Sequence, residues 1–186
     1  MNKYLRASVC VPCGMLKMAW IKIFHPKSFS GPTICLVSPL TEITVEYGAE
    51  LRIGRGFKMR DGAKIRVRKG GRCIIGRNVS LNSNNIITCH DSIVIGDNVM
   101  LSPNVQIYDH DHDFRHTDGL NSNHYLVSPI KIGSNVWIGA NAVILRGSEI
   151  SDGCVVGAGC TVRHGVYPTN SVITSQQDYR IQEYVS

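Results

Sequence analysis

Aliphatic residues recur every six positions between residues 132 and 166. A helical face recurs every three or four residues and a half-buried strand every two, so neither element alone explains this period. The period is typical of a solenoid in which three short strands make one coil and the aliphatic side chains point inwards. The aliphatic positions are Ile132, Ile138, Ile144, Ile150, Val156 and Val162, and a second, mostly small set follows each by four positions at Val136, Ala142, Ser148, Cys154, Cys160 and Val166.

Earlier parts of the chain carry the same pattern less regularly. Residues 33 to about 75 hold a loose version, and a clean block begins at Ile75 and shifts phase at Ile95. Triplets of the form Gly-x-Asn supply residues that tolerate a left-handed backbone at a corner. We therefore predict a mainly β chain in three parts, which are an N-terminal cap segment at 1–32, a three-sided solenoid of six-residue repeats at 33–168 and a C-terminal cap segment at 169–186.

The two ends of the chain lack the six-residue period. Met15 and Ile21 beside Lys17 are spaced as in a short basic amphipathic helix, and residues 176–184 favour a second short helix. Because the open end of a solenoid needs a cap, we interpret the N-terminal segment as one, with attachment to an anionic membrane face as the alternative. No stretch reaches the roughly 18 to 20 apolar residues of a transmembrane helix, so the sequence predicts no spanning segment.

The repeats are interrupted at 109–129, where the predicted solenoid extrudes a loop. Four of the seven histidines fall there, at His110, His112, His116 and His124. A long loop without structure of its own in a compact fold is usually functional or disordered. The solenoid itself does not call for such a cluster, so we expect the loop to hold the chemistry, with His110 and His112 as acid/base candidates.

Charge narrows the choice of partner only slightly. The chain carries a formal charge of +6, and the stretch 51–72 holds nine basic residues against the single acid Asp61. Alternation in this stretch places the charges on the outward face of strands. A solvated face and an electropositive stripe for an acidic substrate or membrane explain it equally well. Nucleic acid is not expected, because no aromatic residues interleave the charges.

Seven cysteines do not form the pattern of a disulfide framework. Their number is odd, and Cys154 and Cys160 occupy the small inward position, where a reduced thiol acts as a small apolar group. This usage favours a reducing, cytosolic compartment. Cys10 and Cys13 have the spacing of a zinc-binding pair, but no second pair accompanies them, so no metal is expected there.

The repeats, the histidine-bearing loop, the run Asn135-Val136-Trp137-Ile138-Gly139 and the later Gly157-Ala158-Gly159 together resemble the hexapeptide-repeat acyltransferases. Within that family the chain is similar to the maltose, galactoside and surface-polysaccharide O-acetyltransferases, over residues 50 to 168. The resemblance implies a left-handed parallel β-helix and a homotrimer with sites between adjacent subunits. It also implies acetyl-CoA as co-substrate and no bound metal.

The resemblance assigns roles to individual residues of this chain. The catalytic base is a histidine of the extruded loop, and counting from the preceding coil favours His112 over His110. Asn82, with Asn84 as its competitor, is expected to bind the acceptor, and Tyr125 is a further substrate-binding candidate. The implied cofactor-binding residues are Trp137, Gly139, Ala140, Ala158 and Arg163.

These features predict an acetyl-CoA-dependent O-acetyltransferase that acts on a sugar hydroxyl in surface polysaccharide biosynthesis. We expect it in the cytoplasm, with peripheral contact at the inner membrane face as a further expectation. One alternative is a γ-class carbonic-anhydrase-like zinc enzyme, although the spacing of His112 and His116 does not suit that class. The other is a non-catalytic sugar-binding solenoid, which has no need of the histidine cluster. Transfer to an amine instead of a hydroxyl is also open.

Overall fold

Three parallel sheets, stacked coil upon coil, make up the computed structural model, which describes residues 3–115, 117 and 124–175. Each coil contributes one strand to each sheet in turn. The first and second sheets have seven strands each, and the third has six. The predicted mainly β solenoid is confirmed, and the left-handed sense of its coils stays a prediction.

The strands, numbered in chain order, are short throughout. The first sheet contains β1 (Phe29–Ser30), β4 (Glu50–Ile53), β7 (Arg72–Ile75), β10 (Ser92–Ile95), β15 (Ile130–Ile132), β18 (Ser148–Ile150) and β21 (Gly165–Tyr167). The second contains β2 (Leu36–Val37), β5 (Lys58–Met59), β8 (Ser80–Leu81), β11 (Met100–Leu101), β16 (Trp137–Ile138), β19 (Val155–Val156) and β22 (Val172–Ile173). The third contains β3 (Glu42–Val45), β6 (Lys64–Val67), β9 (Ile86–Cys89), β12 (Gln106–Tyr108), β17 (Val143–Leu145) and β20 (Thr161–Val162). A separate antiparallel pair contains β13 (His110–His112) and β14 (Tyr125–Val127).

The inward residues are those that the six-residue pattern predicts, with one exception. All six aliphatic positions from Ile132 to Val162 are buried, and so are the first five of the small positions. Val166 is 71% exposed, so its prediction as an inward residue is wrong. The register pairs Val166 with the outward-facing Glu149 and Tyr167 with the inward-facing Ile150. The last coil is therefore one residue shorter, and a one-residue slip moves side chains to the opposite face of a strand.

Asparagines turn the corner between the first and second sheets, as the Gly-x-Asn triplets predict. Asn78, Asn98 and Asn135 have φ values of 56°, 57° and 57°, in the left-handed region that asparagine tolerates. The side chain of Asn78 donates to Asn98 at 3.0 Å, and that of Asn98 donates to Asn135 at 3.1 Å. The corner residues thus form a hydrogen-bonded ladder along the solenoid.

The N-terminal helix α1 (Lys3–Phe24) is longer than the short helix predicted, and it continues through Pro12. It packs on β1 and β2 of the first coil. A side chain at Gly14 would come within 2.7 Å of the carbonyl oxygen of Cys35. The absence of a side chain at Gly14 therefore allows the helix to lie close to the backbone of the first coil.

Residues Ala7–Phe24 of this helix have a mean hydropathy of 1.4 over 18 residues, which is long and apolar enough to cross a membrane by length and composition. The prediction that no segment reaches that threshold is therefore wrong. Only 22% of this 18-residue segment is buried against the rest of the protein. The C-terminal helix predicted at 176–184 lies outside the described residues.

Candidate active site

The interruption of the repeats folds at its two ends into a hairpin, which corrects the prediction of a loop without structure of its own. In the antiparallel pair of β13 and β14, His112 lies opposite Tyr125. Successive side chains of a strand point to opposite faces, so His110 and His112 share a face with Tyr125. Asp111 points to the other face, where its Oδ2 accepts a hydrogen bond from Arg146 Nε at 2.6 Å. This bond fastens the hairpin to the next coil.

A buried carboxylate lies at the base of the hairpin. The side chain of Asp109 is 0% exposed and accepts hydrogen bonds from the backbone N–H groups of His90 and Asp91, both at 2.8 Å. Its Oδ1 lies 3.3 Å from His110 Nδ1. Burial raises the pKa of Asp109, but hydrogen bonds from His110, from the two backbone N–H groups and from the Cys89 thiol outweigh it, and the pKa lies below its ordinary value. Asp109 is therefore ionised at neutral pH.

The ionised carboxylate determines which nitrogen of His110 is basic. A carboxylate only accepts hydrogen bonds, so it holds the imidazole proton on Nδ1 and leaves the Nε2 lone pair free. The same relation between an aspartate and a histidine orients the general base in hydrolases with a catalytic triad. His110 thus has the arrangement of an oriented base.

Aromatic rings surround His110. The ring centroid of His90 lies 3.9 Å from that of His110 and 4.3 Å from that of Tyr125. Tyr108 meets His110 edge-on at 5.9 Å, and the His112 ring lies 4.9 Å from Tyr125. Burial lowers the pKa of His90, and the neighbouring His110 lowers it further. The His90 ring is therefore a neutral packing partner at physiological pH.

The two candidate bases differ in their surroundings. The His110 side chain is 13% exposed and lies against Asp109, whereas His112 is exposed near the tip of β13. Among the described residues, His112 has a ring contact with Tyr125 but no carboxylate within ion-pair distance. His116 lies outside the described residues.

The predicted acceptor-binding asparagines lie on a different corner, where the second sheet turns into the third. Asn82 follows β8, and its Oδ1 accepts the backbone N–H of Ser83 at 2.9 Å. Asn84 is exposed with a φ of 60°, and its side chain fills the space next to Gly62 of the preceding coil. Both asparagines therefore also take part in forming the turn.

Trp137 lies on the outer face of the second sheet. Its Nε1–H donates to Ser102 Oγ at 3.0 Å, and half of the residue is exposed. The register aligns it with Met100 on one side and with Val155, then Val172, on the other. Met100 and Val172 are also exposed. These outward residues form an apolar strip along the second sheet, which we call the sheet-2 strip.

The remaining predicted cofactor residues divide between two corners. Gly139 is buried, and a side chain there would come within 2.5 Å of the backbone nitrogen of Ala158. Ala140 is half-buried and Ala158 exposed at the same corner. Arg163 instead follows a strand of the third sheet, so it lies on the corner of the histidines.

One chain therefore does not bring all the predicted site residues together. The histidines, Tyr125 and Arg163 lie where the third sheet turns into the first. Asn82, Gly139 and their neighbours lie where the second turns into the third. Within the described residues, no hydrogen bond or ring contact joins the two groups. A complete site built from both groups requires residues from two corners to meet.

Four of the nine basic residues at 51–72 form ion pairs with glutamates. Arg66 binds Glu42 through two nitrogens at 2.6 and 3.0 Å, and Arg68 binds Glu46 at 2.7 Å. Arg72 likewise lies 3.0 Å from a glutamate, Glu50. These acids precede the stretch by one coil, which is why the stretch alone looked uncompensated. The pairing supports the interpretation as a solvated face for these four residues.

Two residues of the histidine cluster were missed by sequence reasoning. Asp109 was counted only as the start of the predicted loop, and no part in the site was predicted for His90. Strand β12 pairs with β9 at an offset of 20 residues, which places His90 beside His110. That offset is visible in the sequence once the coil length is known. Within the described residues, no group of three or more His, Cys, Asp or Glu side chains is arranged to hold a metal ion.

Comparison with known proteins supports this view of the repeats. Residues 129–164 match the family model described as bacterial transferase hexapeptide (six repeats). No curated protein sequence matches the chain. A maltose O-acetyltransferase from Clostridium difficile 630 shares 26% identity with a TM-score of 0.54, over 98% of this chain and 90% of that protein.

Two further solved structures have the same fold. A mutant of AntD, an N-acyltransferase from Bacillus cereus solved with dTDP and coenzyme A, has a TM-score of 0.69 at 17% identity, over 88% of this chain and 87% of that one. A hexapeptide-repeat containing acetyltransferase from Vibrio cholerae, solved with acetyl coenzyme A, has a TM-score of 0.53 at 21% identity, over 88% and 80%. The resemblance seen in the sequence is confirmed, and the chain is similar to the hexapeptide-repeat acetyltransferases in both its repeats and its fold.

Proposed function

We propose that this protein transfers an acetyl group from acetyl-CoA to a sugar hydroxyl, with His110 as the general base. The observation that supports it most is the pairing of His110 with the buried, ionised Asp109 at the base of a hairpin extruded from a hexapeptide solenoid. The similarity to a maltose O-acetyltransferase over nearly the whole chain supports the choice of a hydroxyl acceptor. The acceptor is proposed to be a saccharide used in surface polysaccharide biosynthesis in the cytoplasm.

In the proposed reaction, His110 Nε2 removes the proton of the acceptor hydroxyl as its oxygen attacks the thioester carbonyl carbon. A carbon–oxygen bond forms, and the tetrahedral intermediate then breaks its carbon–sulfur bond. The imidazolium returns the proton to the departing CoA thiolate. Asp109 stabilises the imidazolium and keeps the ring in the productive orientation. Backbone N–H groups at a solenoid corner are expected to stabilise the negative charge on the carbonyl oxygen.

The choice of His110 differs from the preference for His112 that counting along the sequence favours. A base needs the correct tautomer and a fixed orientation as well as reach. Asp109 supplies both to His110, and the rings of His90 and Tyr125 hold it in place. His112 is proposed to face the acceptor beside Tyr125.

We further propose that the site is completed between copies in a homotrimer. The histidine corner of one copy would meet the sheet-2 strip and the Asn82 corner of the next. The exposure of Met100, Trp137 and Val172 supports this, because contiguous exposed apolar residues commonly mark an interface or a ligand surface. In this arrangement acetyl-CoA lies along Trp137, Ala140 and Ala158. Sedimentation velocity of the purified protein tests the trimer.

Release of free CoA thiol from acetyl-CoA, measured with a panel of monosaccharides and disaccharides, tests the activity. Wild type is compared with His110→Ala and with His112→Ala as the matched control from the same face of the hairpin. Acceptor-dependent release that only His110→Ala abolishes is the expected result. Full activity in His110→Ala overturns the assignment of the base. Stoichiometric zinc in a protein without acetyl transfer overturns the transferase in favour of the carbonic-anhydrase alternative.

The bond formed in the product separates transfer to oxygen from transfer to nitrogen. Acetyl esters are cleaved by mild alkaline hydroxylamine, whereas acetamides survive it. Treatment of the isolated product is expected to return the unmodified sugar. A product that resists the treatment shows that the acceptor atom is an amine nitrogen.

A further inference from the structure

Helix α1 has two apolar faces, and the solenoid covers only one of them. The covered face consists of Cys10, Gly14, Met18 and Ile21, all buried against the first coil. Their spacing of three and four residues places them on one side of the helix. This face accounts for the attachment of the helix to the solenoid.

The other face exposes large apolar side chains to solvent. Trp20 is 65% exposed, and its ring lies 4.6 Å from that of Phe24. A groove of about 340 Å³ lies next to these rings, between the end of the helix and strand β3. Soluble monomers rarely expose contiguous apolar surface of this kind unless it binds something. The exposed apolar residues of the helix are Tyr4, Val9, Met15, Leu16, Trp20, Ile23 and Phe24.

The charge of the segment is of one sign. The first 41 residues contain no aspartate or glutamate, whereas five lysines and arginines occur among them. Lys22 lies in the last turn of the helix and Lys27 in the turn that follows it, and both are exposed. A second copy of this chain would bring the same uncompensated positive charge to the face. The partner that fits both features is an apolar layer with a negative surface.

We propose that the outer face of α1 inserts into the headgroup region of an anionic lipid bilayer, with the helix axis parallel to the membrane. Helices that lie in the interface carry bulky apolar and aromatic residues on one face and lysines beside them. Trp20 is of a residue type enriched at the membrane–water boundary. Lys22 and Lys27 would meet the lipid phosphates.

The packing of the helix favours an orientation on the membrane surface and disfavours one that spans the membrane. Twenty-two residues span about 33 Å, enough to cross a bilayer. However, Lys17 Nζ donates to Thr41 Oγ1 at 2.8 Å, and Gly14 lies against the backbone of Cys35. The covered face thus holds the helix across the end of the solenoid. Crossing would require all these contacts to break.

Flotation with phosphatidylglycerol and phosphatidylcholine vesicles tests the proposal on the full chain. Binding to the anionic vesicles alone is expected, because each lysine near the surface contributes about fivefold to affinity. Lys22→Glu with Lys27→Glu is expected to weaken it by about 25-fold or more. Leu16→Ser with Trp20→Ser is expected to abolish it. The control, Val166→Ser, changes an exposed valine in the last coil of the solenoid, away from the helix, and is expected to bind as wild type does.

Two further measurements identify the occupant of the face. The variant Trp137→Phe leaves Trp20 as the single tryptophan, and a blue shift of its fluorescence on adding anionic vesicles is expected. Extraction of bound protein at pH 11 is expected to release it. Retention of the protein at pH 11 overturns the proposal in favour of a spanning helix. Absence of binding to either vesicle overturns it as well, and so does a loss of self-association in Leu16→Ser with Trp20→Ser, since another copy would then cover the face.

Discussion

The regular coils after Ile130 and the hairpin that precedes them obey different rules, although they are adjacent in the chain. In the coils, apolar side chains repeat every six residues and are buried, and the outward positions are variable in chemistry. In the hairpin, the side chains that contact one another are His110, His112 and Tyr125, and the buried group at its base is Asp109. The coils form a scaffold, and the hairpin brings ionisable side chains together.

The difference shows where chemistry can enter a repetitive fold. A coil interior favours apolar groups, because a polar group there must find a partner, as Ser148 does in the carbonyl of Leu145, or lose its hydration. Asp109 escapes this restriction at a corner, where backbone N–H groups of the preceding coil supply hydrogen bonds. The repeat thus prepares an anion-binding corner that the interruption then uses to orient His110.

The largest expected effect comes from removing the proposed base of the hairpin, which leaves the scaffold intact. His110→Ala is expected to lower kcat for acetyl transfer by about 100- to 10,000-fold, the usual contribution of a general base. The measurement is CoA thiol release at saturating substrates, with thermal unfolding as a check on the fold. His112→Ala is the control and is expected to lose far less. Equal losses in both variants contradict the separation of their roles.

The next largest effect is expected from a cavity in the interior of the scaffold. Ile144 is fully buried in the third sheet, and Ile144→Ala leaves a cavity, so the free energy of unfolding is expected to fall by about 2–5 kcal/mol. Urea denaturation measures it. Val166→Ala, at a position that the period alone predicts to be inward, is expected to change it by no more than about 0.5 kcal/mol. A large loss from Val166→Ala contradicts the observed register of the last coil.

The third effect is on the free energy of unfolding and depends on pH. It is expected at Asp109, which lies between the coils and the hairpin. Asp109→Asn is expected to lower the free energy of unfolding at pH 7 by about 1–3 kcal/mol, because an amide nitrogen cannot accept the backbone hydrogen bonds. The pKa of Asp109 is lower in the folded protein, so its contribution is complete above the unfolded pKa of about 3.9 and is lost as the pH falls through the folded value.

Wild type and Asp109→Asn are therefore expected to converge in stability at acid pH. Urea denaturation between pH 7 and pH 3 measures the difference. A difference that stays constant over this range shows that the carboxylate charge does not contribute. The same variant is expected to lower kcat, because the proton of His110 is no longer held on Nδ1.

The smallest effect is expected at the asparagine ladder of the scaffold. Asn98 has a φ of 57°, and Asn98→Ala is expected to cost about 1–2 kcal/mol through the left-handed backbone and the lost ladder bonds. Thermal unfolding measures it. Asn98→Gly keeps the backbone conformation and loses only the ladder, so it is expected to cost less. If both variants cost the same, the ladder carries the whole effect.

Most of the scaffold follows from local pattern, whereas the site depends on register. The inward positions of the solenoid were predictable, because burial repeats with the coil. Val166 was not, since a coil shorter by one residue gives no local sign of its register. Likewise Glu42 and Glu46 pair with arginines more than 20 residues away, so a window of the sequence does not show the pairing.

The site was only partly predictable for the same reason. The interruption of the repeats indicated His110 and His112, and counting from the preceding coil favoured His112. The proposed choice of His110 rests instead on Asp109 and His90, which reach His110 through the stacking of neighbouring coils. The hairpin strands were missed because β13 and β14 are three residues each and their pairing crosses a long polar stretch.

The asparagine ladder has a consequence for how this fold can diversify. The residues that it joins are 20 positions apart from Asn78 to Asn98 and 37 apart from Asn98 to Asn135, yet the two bonds are 3.0 and 3.1 Å. The ladder bond is thus as short in the coil that contains the insertion as in the coil without it. The entropy cost of closing a loop also grows only slowly with its length. The extruded segment can therefore be exchanged for one of another length without disturbing the stack. Replacing this insertion therefore changes the histidine-bearing hairpin while the hydrogen bonds between the coils are kept.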